Sequence, residues 1–313
     1  MRILFVMDTL DRVDPQKDTT FGFVQAAVEL GHSCLHCLIH EVSADGGRAQ
    51  APVRDVKYAS DGLSLVGERR FIDLTEVDAI MIRKDPPFDA AYLYASLILE
   101  LVKDRTLVVN DPRGLRDANE KLYALHFAKW MPETIVTSDR DAIHAFVEKA
   151  GGRGVIKPLD GAGGFGVVGL KSDDGNARAI VDLLTLEGKQ LAMVQRYLPS
   201  VTVGDKRVIM LDGEPLGAIL RVPPEGDLRS NIHVGGSVVP TELAPREKEL
   251  VADIGPRLKA DGLYFVGLDL IGEHLTEVNV TSPTGIRELS QFEGKRRSDD
   301  VIRWIEQRVK AMA

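Results

Sequence analysis

The chain has 313 residues, 44% of them apolar and only 6% aromatic, enough to bury a substantial core shared among two or three packed lobes. Asp and Glu number 47 against 39 Lys and Arg, and this formal net charge of -8 speaks against a phosphate-backbone partner, so no nucleic acid is expected. No apolar run reaches the roughly 18 residues that a membrane-spanning helix needs, and Met1-Arg2 runs directly into a strand-like RILFVMD, so the expectation is a cytoplasmic protein without membrane attachment.

The first third alternates strand and helix. RILFVMD reads as a short apolar strand, TFGFVQAAVELG as a helix with Thr20 near its cap and Gly31 at its end, and SCLHCLIH as a second strand. Cys34 and Cys37 form a CxxC beside His32, His36 and His40, which could be half a metal site or a redox pair. On a strand, however, residues i and i+3 face opposite ways, so packing is the expected role. After a polar stretch over 43–70, VDAIMIRKD predicts a third strand, AAYLYASLILELVKD a helix and TLVVND a fourth strand, which together describe a small parallel sheet.

Residues 112–131 have apolar positions at helical spacing and open with Pro112 at a first-turn position. A strand and a helix follow, with Ser138 and Asp141 at capping-box spacing and Gly151-Gly152 as the stop. GVIKPLDGAGGFGVVGLKS predicts two strands around a glycine-rich turn, LAMVQRYLP a strand leading into an extended connector, and KRVIMLDGEPLGAILRV a hairpin turning at Asp212-Gly213. Changes of pattern place domain boundaries near residues 121 and 200: an N-terminal domain over 1–121, a central lobe over 122–198 and a C-terminal lobe over 199–313. Residues 222–237, mixed in Pro, Gly and polar side chains, read as a lid.

Two segments carry chemistry. In IKPLDGAGGFG, glycines 161, 163, 164 and 166 let backbone amides approach an anion while Lys157 supplies a point charge, although a plain hairpin turn has the same composition. In GLDLIGEHLTEVNV, Asp269, Glu277 and Asn279 are oxygen-bearing side chains in otherwise apolar strands, where unpaired charge is costly. A three-residue turn at Gly272, Glu273 and His274 sets Asp269 opposite Glu277 and Gly267 opposite Asn279 on one face. A two-residue turn separates them, so the metal reading predicts an odd loop. Such hard oxygen ligands suit Mg²⁺, while the alternative is a solvated face of an ordinary hairpin.

RKDPPFD (83–89), NEKL (119–122), KPLDG (157–161) with its glycine loop, GDKRV (204–208), FVGLD (265–269) and TEVNVTSPTG (276–285) stand in the order and approximate spacing of the bacterial glutathione synthetase family, which the chain resembles from residue 1 to about residue 288. The resemblance implies an ATP-grasp fold of α/β (α+β) class preceded by a small Rossmann-like parallel-sheet domain. It implies an ATP-dependent ligase joining γ-glutamylcysteine to glycine with Mg²⁺, for which Mn²⁺ can substitute, in a homo-oligomer, most often a tetramer. Carried over residue by residue, it implies ATP contacts from Lys121, Lys157, Gly161, Gly163, Gly164, Gln195, Tyr197, Leu198 and Asp205, and metal ligation by Asp269, Glu277 and Asn279. Arg83, Lys84 and Asp85 end a parallel strand at the edge where α/β sheets bind ligands, and Arg229, Asn231, Gly235 and Gly236 belong to the lid; all seven are candidate substrate contacts. Forming an acylphosphate needs cations that neutralise phosphate and carboxylate together, and Arg207 and Arg221 are the catalytic candidates. The resemblance departs at Asp8-Thr9, where the family favours Asp-Pro, and at Ser230-Asn231-Ile232-His233 after Arg229. Competing readings are an ATP-grasp ligase with another acceptor, such as D-alanine or glutamate, and a non-catalytic ATP-binding regulator.

Overall fold

The computed structural model describes residues 1–224 and 236–312, which form three sheets in chain order. β1 (Arg2–Met7), α1 (Thr19–Glu29) and β2 (Ser33–Leu38) make the expected βαβ unit, with β1 parallel to β2. Asp18, not Thr20, caps α1: its carboxylate accepts from the Phe21 N–H at 2.9 Å, while the Thr20 hydroxyl lies inside the helix and accepts from Arg83 Nε. Cys34 and Cys37 are free, buried, and packed into different core clusters on the two faces of the sheet, so the strand alternation holds.

The polar stretch over 43–70 conceals three strands, β3 (Ser43–Asp45), β4 (Arg48–Ala59) and β5 (Gly62–Asp73). β4 pairs antiparallel with β2, and β5 flanks β4 as a ribbon with half of its residues exposed, so its residues carry no sustained apolar alternation to betray them. With β6 (Ala79–Arg83), α2 (Ala90–Leu99) and β7 (Leu107–Val109), the sheet runs β3-β4-β2-β1-β6-β7 with β5 on β4. It is therefore mixed: only β2, β1, β6 and β7 form the predicted parallel core.

The single helix expected over 112–131 is broken. α3 (Pro112–Asp117) is capped by Asp111 and stops. Asn119 then uses its side-chain oxygen to accept from the Lys121 and Leu122 N–H groups, which redirects the chain into a 3₁₀ segment, Tyr123–Trp130, kinked at Phe127. The second sheet is antiparallel, β10-β9-β11-β8, built from β8 (Thr134–Thr137), β9 (Arg153–Pro158), β10 (Val168–Lys171) and β11 (Ala192–Arg196). Its helices are α4 (Arg140–Lys149) and α5 (Ala177–Leu184), the latter not anticipated. Asp139 caps α4 through the Asp141 and Ala142 N–H groups, in place of the predicted Ser138 box.

The third sheet, β14-β13-β12-β15-β16, contains β12 (Asp205–Leu211), β13 (Glu214–Val222), β14 (Ser237–Pro240), β15 (Phe265–Ile271) and β16 (His274–Asn279), with α6 (Pro245–Ala260) between β14 and β15. Asp212 and Gly213 both take positive φ at the predicted hairpin turn. The β15–β16 loop has two residues, Gly272 and Glu273, not three. A bulge at Thr276, between the pairs Asp269–Glu277 and Leu270–Leu275, supplies the missing residue, so Asp269 still opposes Glu277 and Gly267 still opposes Asn279. α7 (Ile286–Glu293) and α8 (Arg297–Met312) pack back onto α1.

Asn110 ties the first sheet to the third. Its amide nitrogen donates to the Phe265 and Val280 carbonyls at 2.9 and 2.8 Å, and its oxygen accepts from the Phe265 N–H at 2.7 Å. Asn110→Ala orphans these buried backbone groups and is expected to destabilise the protein by about 2–4 kcal/mol, read as a lower denaturation midpoint at unchanged slope.

Candidate active site

The central and C-terminal sheets enclose a cleft with about 890 Å³ of open space, mouth included. All nine residues of the predicted ATP set line it, together with Asp269 and Glu277. The structure thus brings together groups separated by more than 150 positions.

Lys157 projects inward from β9 and donates to Gln195 Oε1 at 2.7 Å, and Gln195 in turn donates to Thr134 Oγ1. Burial pushes the Lys157 pKa down, opposed by the charge of Glu277. Lys121 is buried between the two sheets, donating to the Gly161 carbonyl and pairing with Glu277 Oε1 at 3.0 Å. The glycine loop needs its composition: Gly163, Gly164 and Gly166 adopt positive φ, and a Cβ on Gly161 would stand 2.7 Å from the Phe165 carbonyl oxygen.

NEKL acts as a three-way junction. Asn119 Nδ2 donates to the Leu159 carbonyl beside the glycine loop. The Glu120 carboxylate accepts from Val280 N–H, Thr281 N–H and Thr281 Oγ1, and Lys121 enters the cleft. Glu120 belongs to the positions that sequence reasoning passed over, although its place inside a quoted motif was a signal. Also missed were Val155, Val167, Val201 and Ile271, which give the cleft an apolar wall suited to a flat ring. Val155 shares a strand face with Lys157, so alternation alone could have found it.

Behind the cleft lies a compact charge cluster. Register sets Arg207 opposite Asp269 and Asp205 opposite Arg221, and because 205 and 207 share a face the four side chains converge. Arg207 grips Asp269 with Nε and Nη2, the latter at 2.9 Å, and Arg221 Nη2 reaches both Asp205 and, at 2.9 Å, Asp269 Oδ2. Gly267 leaves room for this: a Cβ there would be 2.8 Å from Arg207 Cδ. Burial alone would raise the Asp269 pKa, but the two guanidinium charges overcome it and hold it low, whereas burial dominates at Asp205 and raises its pKa.

Arg83, Lys84 and Asp85 sit elsewhere, at the ends of β1 and β6. Arg83 is buried under Phe23 and Phe265 and donates to the Pro283 carbonyl at 3.1 Å; Arg207 donates to the adjacent Thr284 carbonyl at 3.2 Å. Lys84 pairs with Asp8 at 3.5 Å, and the Asp85 N–H donates to the same carboxylate. The two groups of candidates therefore meet on the Pro283-Thr284 segment. Glu288, in the first turn of α7, was not anticipated. Its Oε2 is buried without a hydrogen-bond partner, and Arg287, Lys17 and Arg207 act on it electrostatically. Asn279 does not line the cleft; its Nδ2 donates to the Gly267 carbonyl at 3.2 Å. Gly236 precedes β14, while Arg229, Asn231 and Gly235 lie outside the described residues.

The donor set fits a hard cation. Two carboxylates and an amide offer only oxygen ligands, and Asp269 and Glu277 are held in paired register at the cleft. Among the described residues no three His, Cys, Asp or Glu side chains gather as a metal cluster.

A model of the prokaryotic glutathione synthetase N-terminal domain matches residues 1–116, and one of the prokaryotic glutathione synthetase ATP-grasp domain matches residues 120–294. Glutathione synthetase of Synechocystis sp. is 44% identical over 318 residues, covering 98% of this chain and 99% of that protein. That of Gloeobacter violaceus is 45% identical over 313 residues, covering 97% and 96%. Among solved structures, D-cycloserine synthetase DcsG shares the fold with a TM-score of 0.67 at 16% identity, covering 99% of this chain and 100% of that one. Macrocyclase MdnC bound with a precursor peptide from Microcystis aeruginosa gives 0.66 at 16%, covering 98% and 100%. Fold and cleft together define an ATP-grasp, ATP-dependent ligase. Within that class, the chain belongs to the prokaryotic glutathione synthetase family.

Proposed function

We propose that the protein joins γ-L-glutamyl-L-cysteine to glycine, giving glutathione, ADP and phosphate. The observation that carries this reading is full-length identity of 44–45% to glutathione synthetases, together with a single cleft that gathers the phosphate-type lysines and the paired carboxylates. Divalent metal belongs to this chemistry, and Mg²⁺ is our assignment, with Mn²⁺ as a substitute. Asp269, Glu277 and Asn279 would hold it, and when bound it supplies charge neutralisation across the transferred phosphate.

The cysteinyl carboxylate oxygen attacks the γ-phosphorus, the bond to the β-phosphate oxygen breaks, and ADP departs. The glycine amine then attacks the acylphosphate carbon, loses a proton and expels phosphate. Lys121 and Lys157 hold the phosphates, Val155, Val167 and Ile271 sandwich the adenine, and Gln195 to Leu198 border its edge. Arg207 and Arg221, already fixed by Asp269 and Asp205, present guanidinium charge where carboxylate and phosphate meet. Arg83, Lys84 and Asp85 bind the dipeptide's charged end. Glu288, half-buried beside the Arg207-gripped loop with its Oε2 enclosed, takes its ammonium group. Gly236, with Arg229, Asn231 and Gly235 outside the described residues, is assigned to the lid over 222–237.

We divide the chain at residues 121 and 198, a division supported by one sheet in each part. No helix among the described residues is long and apolar enough to cross a membrane; a cytoplasmic homo-oligomer, tetrameric in the most common form, completes the proposal.

Phosphate release from ATP and Mg²⁺ should require both γ-glutamylcysteine and glycine and should yield glutathione by mass. Turnover with D-alanine or glutamate in place of glycine would replace the acceptor, and ATP binding without any turnover would favour a regulator. Glu277→Gln is expected to lower turnover by at least about 10³-fold in a folded protein, and near-normal turnover would remove Glu277 from the metal set. Arg221→Ala should slow acylphosphate formation by about 10²–10³-fold while ATP affinity changes far less; unchanged turnover would overturn its role.

A further inference from the structure

β16 is the last strand of its sheet, so only one of its edges pairs with another strand, β15. Val278 and Val280 are fully buried, and backbone N–H groups at buried positions have to find acceptors. Glu120 supplies them alone. Its carbonyl accepts from the Val278 N–H at 2.9 Å, and its Oε1 accepts from the Val280 N–H at 3.0 Å, the Thr281 N–H at 3.1 Å and the Thr281 hydroxyl at 2.8 Å. One residue thereby stands in for a neighbouring strand along 278–281, with main chain at one end and side chain at the other. The clamped positions alternate with Glu277 and Asn279, and Lys121, next in the chain to Glu120, pairs with Glu277 at 3.0 Å.

We propose that Glu120 is a positioning residue for the divalent-metal ligands. It holds β16 from the outer edge so that Glu277 keeps its register with Asp269, and Asn279 with Gly267, and it acts through the reach of its acceptor oxygen. The inference rests on the metal assignment above and extends it to a residue outside the ligand set. An edge strand held from one side only can shift by fractions of an ångström, whereas Mg²⁺ demands a near-ideal octahedral shell. Groups that orient metal ligands commonly matter by about 10- to 100-fold in metal affinity. Every contact at Oε1 uses the oxygen as an acceptor, so the amide oxygen of glutamine can take all three. Aspartate keeps the charge but falls one methylene short.

Calorimetric titration of the full-length protein with ADP, with and without saturating Mn²⁺, reads metal ligation without turnover. In wild type Mn²⁺ is expected to tighten ADP binding. Glu120→Asp and Glu120→Ala should each lose at least about tenfold of that tightening, while ADP affinity without metal stays within about threefold of wild type. Glu120→Gln should retain the tightening within about threefold. A contact that served folding alone would lower the denaturation midpoint and leave the metal effect intact, so undiminished tightening in a folded Glu120→Asp protein overturns the inference. Tightening kept by Glu120→Asp and lost by Glu120→Gln overturns it too, because charge would then be the cause. Loss in Glu277→Gln but not in Glu120→Asp sinks this inference alone; tightening that survives in Glu277→Gln, or is absent from wild type, sinks the metal assignment with it. The aspartate and glutamine variants decide between these outcomes if Glu120→Ala fails to fold.

Discussion

The buried contact of Asp269 with Arg207 and Arg221 is the constraint around which the C-terminal lobe is organised. A carboxylate removed from water is tolerated only when it is paired, and pairing it with two guanidinium groups demands that β12, β13 and β15 keep one register. The bulge at Thr276 is part of the same constraint, because without the extra residue a two-residue loop would turn Glu277 to the opposite face from Asp269. Gly267 answers it as well, since Arg207 lies across the strand where any Cβ would collide. A cluster held in this way presents its charges without reorganisation when a phosphate and a carboxylate arrive together, which is what acylphosphate chemistry asks of an enzyme.

The other lobes are attached to this frame by polar side chains on short connectors. Asn110 clasps β15 and the segment after β16 from the N-terminal sheet, and Glu120 collects the N–H groups of Val280 and Thr281. Arg83 and Arg207 hold neighbouring carbonyls of Pro283 and Thr284 from two lobes. The segment after β16 thus receives contacts from both the N-terminal and the C-terminal lobes. Lys121 adds a third link, between the Gly161 carbonyl and Glu277, across the cleft itself.

Much of the site was legible because its residues stand in short, chemically unusual runs. Glycines around Lys157 and the oxygen-bearing side chains of β15 and β16 violate the composition expected of apolar strands, and that violation is visible one residue at a time. The β4–β5 ribbon was not legible, since β5 has half of its residues exposed and polar side chains interrupt the apolar positions of β4, so neither strand imprints a clean alternation on the sequence. The helix expected over 112–131 failed for a related reason: its apolar spacing is real, but Asn119 competes for the backbone N–H groups of Lys121 and Leu122 and breaks it.

What the sequence by itself determined was the fold class, the family resemblance, the opposite-facing cysteines and the face on which Asp269 and Glu277 meet. All four rest on periodicity or on motifs contained within a few residues. Tertiary structure alone decided that parity would be restored by a bulge and not by the loop, that Glu120 and Glu288 would be half-buried beside the site, and that the outer stripe of α2 would remain uncovered. The bulge is a local departure from regular strand pairing that alternation does not announce, and the other outcomes depend on how segments far apart in the chain pack, so local spacing carries no record of which distant partner will satisfy a buried charge or cover an apolar face.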